Sequence, residues 1–158
     1  MANSLEKIFA KDYQENMSYV DTYRNLFESN RDFMTQELLK MDLPFKPLDC
    51  EGGYFLMVDI SDCKKFIPSK YLESHDYQAP EHGTKTAAHH LYMLDGRIPL
   101  DLAFCRWMAC EKGVVLMPNS FFYQPGSPNL NDNIVRMAIC KERPGIKTAF
   151  DRLKQIKL

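Results

Sequence analysis

Arg136 is the residue best placed to do chemistry in this chain of 158 residues. It stands in Ile134-Val135-Arg136-Met137-Ala138-Ile139, an otherwise apolar run of strand length. A guanidinium rarely enters such a run unless it is paired, because desolvating a charge is costly. Two readings are open. An edge-strand arginine packs its stem and sends its head to water, or pairs with an internal Asp or Glu. Alternatively the guanidinium is a fork of donors presented from a rigid sheet, matched to a carboxylate.

Other residues have the types for chemistry without the spacing. Gly83-Thr84-Lys85-Thr86 has the ending of a phosphate-binding loop, but the glycine required five residues before Gly83 is missing and no strand feeds the segment. His75, His82, His89 and His90 are seven, seven and one apart, which makes no compact ligand set with an acidic partner, so no metal site is expected. Cys105 and Cys110, five apart on a helix, point to different faces and read as packing residues. Ser61-Asp62-Cys63-Lys64 has the S-x-x-K pattern of some nucleophilic serines and Schiff-base lysines. Two fixed letters recur often by chance, and without a partner base Lys64 reads as a solvated lysine at a strand end. The five cysteines, Cys50, Cys63, Cys105, Cys110 and Cys140, are odd in number and lack a C-x-x-C pair. They are expected as buried thiols in a reducing compartment.

The elements that must position Arg136 follow from periodicity. From Ser18 to Met41, Val20, Tyr23, Phe27, Met34, Leu38 and Met41 recur on one face of a helix, with Ser18 as the cap, Asp21 three residues later, and Pro44 and Pro47 beyond its end. Leu5 to Tyr13 reads as a short helix leading into it. After the turn signal Glu51-Gly52-Gly53, Tyr54 to Ile60 is a mostly buried strand. Residues 61–97, with Pro68, Pro80, Gly83 and all four histidines, carry no sustained period and read as a long irregular excursion outside the sheet. Pro99 opens a helix whose stripe is Leu100, Ala103, Phe104, Trp107 and Met108, running to Gly113. Val114 to Met117 is a short strand stopped by Pro118, Ser120 to Asp132 a turn-rich loop, and Asn133 to Cys140 a second strand. A last helix follows Pro144-Gly145, with Ile146, Phe150, Leu153 and Ile156 on one face. The fold class is therefore α+β: a single domain, residues 1–158, built as a small, mostly antiparallel sheet covered by helices.

Composition excludes several functions. With 20 basic and 21 acidic residues and a net charge of −1, no overall positive field exists for nucleic acid or anionic lipid. No apolar run approaches the ~20 residues that span a bilayer, and the start of the chain lacks the apolar core of a signal peptide. An intracellular protein, cytoplasmic or mitochondrial, is expected.

Four segments in order carry a resemblance. They are Glu51-Gly52-Gly53-Tyr54-Phe55-Leu56-Met57-Val58-Asp59-Ile60-Ser61, then Phe104-Cys105-Arg106-Trp107-Met108, then Gly113 through Pro118-Asn119-Ser120-Phe121-Phe122-Tyr123, then Ile134-Val135-Arg136-Met137-Ala138. Together they resemble the C-terminal small domain of class I (fold-type I) pyridoxal-phosphate aminotransferases, and are most similar to the kynurenine aminotransferase and cysteine conjugate β-lyase group. The resemblance implies that Arg136 binds the α-carboxylate of an amino acid substrate. It also implies that Pro118, Ser120, Phe122 and Tyr123 belong to a loop at the mouth of the site. A complete enzyme of that family is more than twice as long. Its large domain holds the cofactor lysine, the Asp facing the pyridine nitrogen and the phosphate cup, and none of these has a counterpart here.

The resemblance implies no cofactor bound by this chain alone, no catalytic residue in it, and no transaminase activity without a partner. Three roles stay open. The chain is a domain piece or one half of a split enzyme, a non-catalytic accessory or scaffold subunit, or an independent carboxylate binder. The start at Met1 favours a short gene product. The first two roles require a protein partner covering apolar surface along the first helix and around Phe121, Phe122 and Tyr123. As part of a substrate site, Arg136 faces an open cleft near Phe122 with no acidic residue of the chain on its fork. As a structural residue it is engaged by an Asp, a Glu or a carbonyl.

Overall fold

Ser18 opens the first helix with a reciprocal cap. Its Oγ accepts the Asp21 N–H at 3.2 Å, and the Asp21 carboxylate accepts the Ser18 N–H at 3.3 Å. In this computed structural model, which describes residues 18–73, 98–124 and 127–156, helix α1 then runs Tyr19–Leu38. Asn30, Met34 and Leu38, four apart, are its buried stripe. The segment from Leu5 to Tyr13 expected as a helix, the four histidines and Gly83-Thr84-Lys85-Thr86 lie outside the described residues.

Among the described residues the sheet has four antiparallel strands in the order β1-β2-β4-β3: β1 Lys46–Pro47, β2 Phe55–Asp59, β3 Met117–Pro118 and β4 Ile134–Ala138. The long pair is β2 with β4, in the register Leu56 to Met137, Met57 to Arg136 and Val58 to Val135. Leu56, Val58, Val135 and Met137 face a core shared with Met34, Leu38, Phe104, Ile146 and Phe150. Their neighbours Phe55, Met57, Ile134 and Arg136 sit half-buried on the opposite face. This is the α+β arrangement expected, with one addition, the two-residue β1, too short to leave a periodic signal.

Several boundaries shift for physical reasons. Pairing in β3 begins at Met117 and includes Pro118, instead of occupying Val114 to Met117. The cause lies upstream. Helix α3, Leu100–Trp107, continues as a π-turn over Met108–Lys112, and the Val114 N–H is spent on the Met108 carbonyl at 3.1 Å. Gly113, at φ 62°, reverses the chain in the left-handed region that glycine enters without a steric cost. Pro118 is tolerated because β3 is an edge strand. The last helix, α4, begins at Arg143, ahead of Pro144-Gly145, and takes Pro144 into its first turn, where a missing N–H costs nothing. Within the expected excursion, Ser61–Phe66 forms a 3-10 turn and Ser69–Leu72 a one-turn helix, here α2, with Cys63 and Ile67 buried.

Asn30 joins two parts of the fold. Its Nδ2 donates to the carbonyls of Ile139 at 2.7 Å and Lys141 at 2.8 Å, tying the middle of α1 to the end of β4. These carbonyls lie past the ladder, and the amide gives each a partner.

Candidate functional site

Arg136 is not on an edge strand. It pairs across to Met57 on one side and Met117 on the other, in the inner strand β4. The alternation that buries Val135 and Met137 sends Arg136 to the face away from the core. Its head is held from two directions. Nε and Nη2 both donate to the side-chain oxygen of Asn119, at 3.2 and 3.1 Å. The guanidinium carbon stands 3.6 Å from the centre of the Phe122 ring. No carboxylate among the described residues lies within ion-pair distance of Arg136.

A guanidinium has five N–H donors in one plane. Asn119 takes one from Nε and one from Nη2, which lie along one edge of that plane. The end-on edge, formed by Nη1 and the second N–H of Nη2, has no partner among the described residues. Two parallel donors on such an edge match the two oxygens of a carboxylate.

The loop bearing these contacts is fixed at each residue. Pro118 pairs with Val135 in the sheet. The Asn119 N–H reaches the Ile134 carbonyl at 3.3 Å, and its Nδ2 donates to the Asn131 carbonyl at 3.2 Å. Ser120–Phe122 is a 3-10 turn, closed by the Phe122 N–H on the Asn119 carbonyl and the Tyr123 N–H on the Ser120 carbonyl, each at 3.1 Å. Ser120 turns inward. Its N–H and Oγ donate to the two oxygens of Asp101, at 2.6 and 2.9 Å. Of the loop residues named from the sequence, Phe122 is thus brought to Arg136, Ser120 is spent on the interior, and Tyr123 is half-buried beside them.

Two participants escaped the sequence reading. Asn119 stands between Pro118 and Ser120 in the loop named from the sequence. Asp101 is an acid inside the apolar run Leu100-Asp101-Leu102-Ala103-Phe104, the same signal that singled out Arg136. Asp101 is fully buried and also accepts the Leu102 N–H at 2.8 Å. Burial, only partly offset by the Ser120 and Leu102 donors, pushes its carboxyl up to about 6, with the nearby Asp132 charge adding to the rise.

The remaining candidates separate. The buried Cys63 thiol is pushed up to about 12, chiefly by burial, and Cys105 is raised by the same cause, so neither is a nucleophile at neutral pH. Cys110 and Cys140 are exposed and Cys50 is half-buried, so not all the thiols are core residues. Lys64 lies exposed on the 3-10 turn. Every other described lysine is exposed too, except the half-buried Lys112. Three are held in the charged form by carboxylates: Lys46 by Asp62 at 2.7 Å, Lys70 by Glu111 at 2.9 Å and Lys154 by Glu37 at 2.5 Å. No group of three metal-ligating side chains occurs among the described residues, and no described helix is long and apolar enough to cross a membrane.

No protein-family model matches the sequence. The chain is 30% identical over 156 residues to the Saccharomyces cerevisiae protein "Probable kynurenine–oxoglutarate transaminase BNA3", a match covering 99% of this chain and 29% of that protein. To human kynurenine–oxoglutarate transaminase 1 it is 26% identical over 148 residues, 92% of this chain and 29% of the human protein. The crystal structure of Bna3p from Saccharomyces cerevisiae aligns with a TM-score of 0.59 at 26% identity, over 86% of this chain and 27% of that one. The chain therefore spans less than a third of the length of these relatives. The match runs through nearly the whole sequence and extends to the fold, so the chain is an aminotransferase-like small domain related to the kynurenine aminotransferase group.

Proposed function

We propose that this domain grips the α-carboxylate of an amino acid or 2-oxo acid through Arg136, as the carboxylate-binding part of an aminotransferase whose cofactor is held elsewhere. The observation that carries the reading is the state of the guanidinium. One edge is braced by Asn119, one face rests on Phe122, and the end-on pair of donors meets no carboxylate among the described residues. A structural arginine is expected to spend its fork on an Asp, a Glu or a carbonyl, and the Asn119 amide carbonyl does take one edge, so the reading rests on the second, end-on edge, which meets no acceptor among the described residues.

A lysine that held pyridoxal phosphate, the cofactor of the relatives, would need an amine deprotonated by desolvation or by neighbouring cations. The described lysines do not fit that task. They are exposed, or half-buried in the one case of Lys112, and three are kept protonated by paired carboxylates. On this reading the chain supplies substrate recognition, and a neighbouring domain or subunit supplies the cofactor. Phe121, 48% exposed, and Phe122, 56% exposed, lie where such a neighbour is expected to cover them.

A second reading, a non-catalytic accessory or scaffold subunit, is favoured by a different surface. Tyr19, Tyr23 and Phe27 of α1 and Tyr54, just ahead of β2, make a ladder of rings with centroids 4.5, 5.8 and 5.6 Å apart, bordering a cavity of about 710 Å³. Three of these four rings are substantially exposed.

The test is Arg136→Lys, with oxoglutarate binding followed by NMR titration of the whole chain, or of its native assembly. Lysine keeps the charge and loses the planar fork. The expected result is millimolar binding by the wild type, about tenfold weaker in the variant, with the fold intact. Equal affinity in both forms, or none in either, overturns the substrate reading.

A further inference from the structure

We propose that Asp101 is a positioning residue for Arg136, acting through Ser120 and Asn119, so that the protonation state of one buried carboxylate sets the order of the carboxylate-binding fork. The proposal rests on the reading of Arg136 just given for its functional consequence, but its geometry stands apart from any ligand.

The chain of contacts is continuous. Asp101, 0% exposed, takes both the N–H and the hydroxyl of Ser120 and so fixes that residue's backbone and side chain together. Ser120 is bonded directly to Asn119, whose side-chain oxygen is the sole acceptor of Nε and Nη2 of Arg136 among the described residues. Two residues further on, Phe122 supplies the ring beneath the guanidinium. The turn carrying Asn119 and Phe122 is therefore anchored at its middle by one carboxylate. Beside it stand the two-residue pairing of β3 that ends at Pro118 and the two bonds of Asn119 itself, its N–H on the Ile134 carbonyl and its Nδ2 on the Asn131 carbonyl.

Protonation disturbs this anchor for a reason of valence. The ionised carboxylate accepts three N–H or O–H donors, from Leu102 N, Ser120 N and Ser120 Oγ. A neutral carboxyl carries a hydrogen of its own on one oxygen, which competes with one of those donors. Among the described residues the ionisable groups set against Asp101 are few. Asp132 accepts the Leu100 N–H at 3.0 Å and its charge favours the neutral form of Asp101, while Cys105 of the same helix is a thiol raised by burial. Ser120 and Asn119 bring only neutral dipoles. With the carboxyl already shifted to about 6, the change falls in a range that cellular compartments visit.

The experiment follows the Arg136 side-chain Nε–H resonance in the isotope-labelled whole chain. It carries both the Asn119 hydrogen bond and the ring current of Phe122. In the wild type the resonance is expected to titrate between pH 5 and 7 as the turn loosens. In Asp101→Asn, where an NH2 group replaces one acceptor, Nε–H exchange at pH 7 is expected to rise about tenfold, the loss of roughly one hydrogen bond. Ile146→Val, a core change on α4, gives the comparison for general softening and is expected to leave the resonance in place. An unmoved resonance in Asp101→Asn together with a flat wild-type titration overturns the proposal, and the titration alone decides it if the variant does not fold. Oxoglutarate binding separates the two claims. If the resonance responds but no form binds oxoglutarate, the substrate reading fails and the positioning role stands. If wild type and Asp101→Asn bind equally with an unmoved resonance, the positioning role fails and the substrate reading stands.

Discussion

Arg136 lies over the ring of Phe122 with its guanidinium carbon 3.6 Å from the ring centre, a stack that joins an inner strand to a turn outside the sheet. The ring covers one face of the guanidinium, while the end-on donors have no partner among the described residues. Replacing Phe122 by Ala removes that cover and little else, since the ring is more than half exposed. Oxoglutarate affinity is expected to fall about threefold with the unfolding midpoint nearly unchanged, as befits an exposed cation–π contact. Calorimetry and thermal melting of the variant check both halves, and an affinity equal to wild type counts against a role for the stack.

The buried Asp101 leaves a signature in stability as well. Its carboxyl titrates at about 6 in the folded chain and near 4 when unfolded, so between these values the folded form holds more protons. Stability from this group therefore falls as pH rises from 4 to 6, by about 3 kcal/mol at most, and stays at the lower level above 6. Urea unfolding at a series of pH values is expected to show a shallower slope across that window in Asp101→Asn. Identical slopes in the two proteins contradict the shift.

Asn30 is expected to be worth more than its surface counterparts. Truncation to Ala leaves the buried carbonyl of Ile139 and the part-buried carbonyl of Lys141 without their donor, at a cost of about 2 kcal/mol. Leu at the same position fills the volume without supplying the donors and is expected to be no better. Denaturant midpoints of the three proteins decide, and a Leu variant as stable as wild type refutes the account.

Gly113 combines a left-handed backbone with a near neighbour. A Cβ there meets Nη1 of Arg152 at 2.9 Å, and the same Nη1 donates to the Gly113 carbonyl at 2.7 Å. Gly113→Ala is expected to cost about 1–2 kcal/mol, most of it from φ, because the arginine tip is free to swing away. Adding Arg152→Ala should recover only a minor part. Full recovery in the double variant means that the clash, and not the backbone, was the cause.

Incubation with pyridoxal phosphate and borohydride is expected to label several exposed lysines weakly and none stoichiometrically, since imine formation favours an amine that is not protonated. Peptide mapping by mass spectrometry reads this directly. One fully modified lysine contradicts the assignment of cofactor binding to another domain or chain.

The sequence by itself determined the parts whose information is local. Ser18 with Asp21 capped α1, apolar runs of strand length marked β2 and β4, and the spacing of Ile146, Phe150 and Leu153 set α4, because caps, runs and periodicities are properties of a few neighbouring residues. The apolar run around Arg136 likewise announced a charge that needed explanation. Only the tertiary structure decided what answers that charge. β4 became an inner strand through its pairing with the two-residue β3, and that pairing was shifted by the π-turn and Gly113, which used the Val114 N–H before the ladder could. Asn119 and Asp101 gained their roles from contacts 17 and 19 positions away in the chain. Hydrogen bonds of that reach depend on how helices seat against a sheet, which no local pattern of residue types encodes.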